Sequence, residues 1–166
     1  MERILRLTYM PKKLTVQQKQ SLTRYILEMA AVEQDLRLQS KPGKELTNYL
    51  IYAIDTLHYQ NVRQIIKEYG YPTQKMVGAE AMKAFFLLVQ HIMHDAKLQE
   101  QCLKHCDFEP NEKAHLTDRV LINRGELQFY GTQRQRLPDG TLKMLPVKDP
   151  KNLEKRRIKM GLTKES

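Results

Sequence analysis

The stretch Val89-Gln90-His91-Ile92-Met93-His94-Asp95 brings two imidazoles and a carboxylate to the end of the most apolar part of the chain. In a helix, His91 and Asp95 stand four residues apart and so share a face. A carboxylate beside an imidazole fixes its tautomer and orients it, which is what a general base or acid requires. Leu87, Leu88 and Val89 lead His91 in from the interior. The same spacing also suits a structural role, with Gln90 and His91 as hydrogen-bonded core residues that pin neighbouring segments.

Three other groups have polar residues where chemistry could sit. Glu33, Gln34 and Arg37 fall on one predicted helix, with Glu33 and Arg37 in the favourable order for an i,i+4 ion pair. An exposed salt bridge would read the same way. Asp118-Arg119 interrupts an apolar face between Leu116 and Val120. Adjacent helical positions diverge by about 100°, so at most one of the two points inward. A buried arginine needs a paired acid, whereas one at a pocket rim can grip a carboxylate or phosphate with both nitrogens. The last group is Tyr130, Gly131, Thr132 and Gln133. Glycine inside a strand marks a bulge or a close approach by another group. Tyr130 and Thr132 would share one face, and Gln133 would share that of Phe129 unless a bulge at Gly131 redirects it. An ordinary kinked hairpin is the alternative.

Several chemistries find no support. The chain has no glycine-rich phosphate loop, dinucleotide fingerprint, nucleophile elbow or metalloprotease helix. Cys102 and Cys106, four apart on a helix, do not bridge comfortably and read as reduced thiols. Cys102, His105 and Cys106, with His94 nearby, match no common zinc spacing. No cofactor and no metal are therefore expected.

The elements that must position these groups are mostly helical. After a basic leader, 1–13, Thr15 and Gln18 form a capping box that opens a helix reaching Gln39. Its apolar positions are Leu22, Tyr25, Ile26, Met29, Val32 and Leu36. Ser40 to Gly43 is a connecting loop. A second helix spans Glu45 to Tyr69, apolar at Leu46, Leu50, Ala53, Ile54, Leu57, Val62, Ile65 and Ile66. Its pattern slips around His58–Asn61, where a bend or break is expected. Gly70 and Pro72 end it. Gly78 to about His94 is apolar on more than one face and reads as the central helix. Shorter helices follow over Ala96–Cys106 and Asn111–Asn123. Leu127 to Thr132 then alternates with period two, Pro138-Asp139-Gly140 turns the chain, and Leu142 to Val147 returns. Asp149-Pro150 starts a last basic helix with Gly161 as its cap.

The expected fold is thus mainly α: a single domain over 1–166, with a helical core at 14–123, a two-stranded β-hairpin at 126–147 and a C-terminal helix at 149–161. The chain carries a formal charge of +9. Between Arg124 and Lys164 there are eleven Lys and Arg against four acids. Such a tail points to an anionic partner, an acidic protein or nucleic acid through 134–164, or to a merely soluble basic surface. No apolar run is long enough for a signal peptide core or a membrane span, so the default compartment is the cytoplasm, with effector-type secretion as the exception.

Seven short stretches in order have a familiar arrangement: MAAVEQDLR (29–37), IIKEYGYP (65–72), VG (77–78), QHIMHD (90–95), LTDRV (116–120), QFYGTQ (128–133) and RRIKMGL (156–162). The series resembles a bacterial domain family of unknown function. That family's pattern has a Met-x-x-x-Asp-Gln-x-x-Arg helix, a Gly-Trp-Pro turn, a Gln-His helix, an Asp-Arg pair and a Tyr-Gly-Thr-Gln ribbon. The likeness covers about residues 26–162. Glu33 stands where the family usually has Asp, one methylene further out, and Tyr71 replaces the usual Trp. The resemblance supplies residues and no reaction. It implies that Glu33, Gln34, Arg37, Gln90, His91, Asp118, Arg119, Tyr130 and Gln133 converge on one site beneath the ribbon.

In the leading expectation this site is a small polar pocket. His91 is the general base or acid, and Glu33 or Asp118 orients or charges it. Arg37 or Arg119 holds an anionic group, while Gln34, Gln90, Tyr130 and Gln133 complete the ligand contacts. Hydrolysis or group transfer on a phosphorylated or carboxylated compound suits such a set. The alternative is a non-catalytic module (immunity, adaptor or effector-like) or a nucleic-acid binder that uses the basic segment.

Overall fold

The computed structural model describes residues 13–39 and 45–163. The expected leader, apart from Lys13, and the loop at Ser40–Gly43 lie outside the described residues. Six α-helices follow one another: α1 (Val16–Gln39), α2 (Glu45–Tyr69), α3 (Gln74–Gln90), α4 (Ala96–His105), α5 (Pro110–Asn123) and α6 (Leu153–Lys159). Between α5 and α6 lie β1 (Arg134–Arg136), β2 (Leu142–Met144) and a 3₁₀ turn at Pro150–Asn152. The strands pair antiparallel, with Gln135 opposite Lys143. The protein is mainly α with a hairpin and a C-terminal helix, as its sequence predicts.

The local signals explain most of the boundaries. Thr15 N–H donates to Gln18 Oε1 at 2.9 Å and Gln18 N–H donates to Thr15 Oγ1 at 3.2 Å, which closes the capping box. Gly70 takes a φ of 86° at the end of α2, and Pro72 follows. Glu109 N–H donates to Glu112 Oε2 in the first turn of α5.

Helix α3 is the axis of the core and touches α1, α2, α4 and α5. Its Ala81, Met82, Phe85, Leu88 and Val89 are buried. From α1, Leu22, Ile26, Met29 and Ala30 pack against it in a single stripe. Helix α2 departs from expectation in two respects. It runs unbroken through His58–Asn61, and its buried face is His58, Val62 and Ile65. Leu46, Leu50 and Leu57, which the apolar pattern assigns to the core, are exposed. The pattern slips because a histidine occupies a core position.

The ribbon also differs. Only 134–136 and 142–144 form strands, and 127–132 is not a strand despite its alternation. Gly131 adopts a φ of 67°, where a Cβ would lie 3.0 Å from Met144 Sδ and 3.3 Å from Leu153 Cδ2. Gly131→Ala is expected to destabilise the fold by about 1–2 kcal/mol from backbone conformation alone. Gly140→Ala, with open space around its Cβ, carries only the conformational part, so urea midpoints of the two variants separate it from crowding.

Candidate functional site

The buried stripe of α1 ends in a carboxylate. Glu33 continues the spacing of Ile26, Met29 and Ala30 and is 1% exposed. An uncompensated charge there would be strongly unfavourable, so its partners define the site. Arg37, one turn on, donates from Nε to Glu33 Oε1 at 3.0 Å. Its Nη2 reaches both oxygens of Asp55 on α2, at 2.7 and 2.9 Å. His91 abuts the same Glu33 Oε1 through Nδ1. One guanidinium and one imidazole thus tie α1 to α2 and to the end of α3.

His91 is presented by neighbours of its own helix. Helix α3 stops at Gln90, and His91 is its C-cap. The carbonyls freed there are taken by buried Gln99 of α4, whose Nε2 donates to Val89 O at 3.0 Å and Ile92 O at 2.8 Å. Asn123 of α5 in turn donates to Gln99 Oε1. Since the helix ends early, the expected His91–Asp95 stacking is absent. Asp95 instead caps α4 through Leu98 N–H and accepts from the hydroxyl of Tyr59. The carboxylate beside His91 is Glu33, from another helix.

A cleft of about 210 Å³ opens beside this cluster. Tyr52, Asp55, Thr56, Tyr59 and Gln60 of α2 form one side, and His91 to His94 form the other. The Nδ1 of His91 is buried, and the residue lines the cleft. Three more polar atoms in this region are buried without a hydrogen-bond partner among the described residues: Glu33 Oε2, His58 Nδ1 and Arg119 Nε.

Burial and charge pull these groups in different directions. Burial pushes the Glu33 carboxyl up, but His91 and Arg37 together outweigh it and hold the group below 4.5. Asp55 shares Arg37 yet ends above its ordinary value, because burial dominates. Burial likewise pushes His58 down, against the pull of Glu33 and Asp55. The Arg119 guanidinium is lowered by burial first and by the nearby Arg37 second.

A separate hydrogen-bond network holds the ribbon. Asp118 of α5 is fully buried and accepts from Phe129 N–H at 2.7 Å, Tyr130 N–H at 2.9 Å, and Thr132 N–H and Oγ1, both at 2.9 Å. Buried Gln128 accepts from Gln133 N–H and donates to Leu145 O. Gln133 Nε2 donates to Thr132 Oγ1 at 3.0 Å and to His115 O at 3.3 Å. From α6, Arg157 donates to Tyr130 O and Arg156 to Phe129 O. Arg156 also lies 4.4 Å from the Phe129 ring centroid.

A family model matches residues 20–165, from the first turns of α1 to beyond α6. The chain belongs to DUF6624, a family of unknown function. No curated protein and no solved structure matches it. In this DUF6624 chain, the sequence resemblance implies one place for nine residues. Contacts unite Glu33, Arg37 and His91, and Arg119 on α5 stands within electrostatic reach of Arg37. Asp118, Tyr130 and Gln133 belong to the ribbon network. Gln34 and Gln90 are half-buried, and Gln90 offers its carbonyl to Gln99 Nε2 at 3.5 Å.

Sequence reasoning missed Asp55 and His58. The available signal was their register with the buried Val62 and Ile65, which sets polar residues on an apolar stripe. Among the described residues no group of three or more His, Cys, Asp or Glu side chains is placed to hold a metal ion, and no helix is long and apolar enough to cross a membrane.

The buried histidine has a consequence for pH. His58 is held below its ordinary value of 6.5, so the unfolded chain takes up a proton that the folded one resists. Stability is therefore complete above pH 6.5 and falls as pH drops through the interval between the unfolded and folded values. Glu33, also depressed, adds its own loss further into acid, below 4.5. Urea midpoints are expected to decline from pH 7 to pH 5, and His58→Asn should flatten that decline. An unchanged slope in the variant would remove His58 from the account.

Proposed function

We propose that this DUF6624 domain is an acid–base enzyme, a hydrolase or transferase, with His91 as its proton-transferring group. One observation carries the reading: a buried carboxylate, Glu33, lies on Nδ1 of a histidine that lines a cleft. A carboxylate on Nδ1 favours the tautomer with its proton there and leaves Nε2 free to accept. In the proposed reaction Nε2 takes a proton from water or an acceptor hydroxyl as that oxygen attacks a carbonyl or phosphoryl centre. The imidazolium then returns the proton to the departing oxygen. Glu33 compensates the transient positive charge. Arg37 is already committed to Glu33 and Asp55, so Arg119, whose buried Nε has no hydrogen-bond partner among the described residues, is the better candidate to hold an anionic group of the substrate. Asp118, Tyr130 and Gln133 serve this reading by holding the ribbon, and Gln34 and Gln90 flank Glu33 and His91. The proposed compartment is the reducing cytoplasm, which suits two free, buried thiols, Cys102 and Cys106.

The second reading, a binding module for an acidic protein or nucleic acid through 134–164, has weaker support. Arg156 and Arg157 are the centre of that segment, and their guanidinium groups are engaged with ribbon carbonyls. The test is hydrolysis of chromogenic phosphate and carboxylate esters by the intact chain and by His91→Gln. Turnover that depends on His91 supports the enzyme. Absence of turnover across the panel, or turnover indifferent to His91, overturns it.

A further inference from the structure

The cleft beside His91 has an unusual wall for a protein so rich in cations. Among the described residues, no lysine or arginine lines it. Its α2 side is Tyr52, Thr56, Tyr59 and Gln60, four positions on one helical face. Across from them stand His91, Ile92, Met93 and His94. Tyr59 is held before any ligand arrives: its hydroxyl donates to Asp95 at 3.1 Å, and the Arg63 guanidinium covers its ring at 5.5 Å from the centroid. Asp55 also stands on this wall, with both carboxylate oxygens held by the Arg37 guanidinium.

These surfaces favour an uncharged, flat body. A fixed phenol ring, a second tyrosine and a polarizable thioether give aromatic and sulfur–aromatic contacts, and the Asp55 carboxylate is already engaged by Arg37. We infer that the cleft takes a planar aromatic group of the substrate, next to the bond on which His91 acts. This rests on the acid–base reading above, in which the anionic head faces Arg119. The substrate class is then an aryl or arylalkyl ester or phosphoester, rather than a small aliphatic anion.

Paired probes test this by equilibrium binding to the intact chain: phenyl phosphate against methyl phosphate, and phenylacetate against acetate. The aryl member of each pair is expected to bind about tenfold tighter or better, the scale of one well-packed ring. Tyr52 is 62% exposed, so Tyr52→Ala should fold normally and cut that preference severalfold. Tyr59→Leu should reduce it further. Arg119→Gln should weaken both members of a pair equally and leave the ratio intact. Failure of both aryl probes to bind, a ratio within about twofold, or a ratio unchanged in both tyrosine variants overturns the inference. The two readings fail differently. An aryl preference that depends on the tyrosines, without His91-dependent turnover, keeps the pocket assignment and sinks the enzyme. Turnover that depends on His91 with no aryl preference does the reverse.

Discussion

Asp118→Ala is expected to destabilise the protein by about 3–5 kcal/mol, the largest loss for any single truncation outside the apolar core. One carboxylate satisfies three backbone N–H groups and the Thr132 hydroxyl, and it does so fully buried. Truncation leaves these donors facing a small void, at about 1–3 kcal/mol for each that water does not reach. Asp118→Asn should cost less, because one oxygen remains, but its amide N–H₂ then opposes donors. The damage should also be local. Amide exchange at Phe129, Tyr130 and Thr132 should accelerate while α3 stays protected. A loss under about 1 kcal/mol, or amides that keep their protection, would mean that the ribbon is held by Arg156, Arg157 and Gln128 without Asp118.

The second large effect concerns turnover. On the proposed function, His91→Gln should lower it by about 10²–10⁴-fold, the range for loss of a positioned acid or base. Glu33→Gln should approach that loss although its own atoms touch no substrate. Gln keeps the size of Glu33 but removes the charge that favours a proton on Nδ1, the same logic by which a buried carboxylate supports a catalytic histidine elsewhere. Stability gives the control. Glu33→Ala, by removing the buried carboxylate that Arg37 Nε and His91 share, should cost about 3 kcal/mol, whereas His91→Gln should leave the denaturation midpoint nearly unchanged. If His91→Gln unfolds the protein as Glu33→Ala does, the histidine is a structural strut.

The helices were legible where spacing and caps agree. Thr15 and Gln18 mark the start of α1, and Leu22, Ile26 and Met29 mark its inner face. Helix α2 shows the limit. Leu46, Leu50 and Leu57 mimic a core stripe and are exposed, while His58 is buried. Periodicity weighs side chains by polarity, and a buried polar cluster inverts that weighting. The ribbon failed for another reason. The partners of Asp118 are backbone N–H groups, which every residue but proline carries. No side-chain pattern distinguishes 127–132 wrapped around a carboxylate from 127–132 in a ladder. The spacing paired Asp95 with His91, but α3 stops at Gln90, where Gln99, nine residues beyond, takes up the freed carbonyls, and Asp95 caps α4 instead.

That amide of Gln99 also bears on how such a protein can change over time. It belongs to α4, leans on Asn123 of α5, and grips the carbonyls on either side of His91. The aim of the imidazole is therefore set by two helices that do not themselves form the cleft wall. On the proposed function, variants that repack α4 against α5 while preserving thermal robustness would still swing the ring out of line, so inheritance of that activity would constrain a part of the molecule that no survey confined to the cavity would inspect.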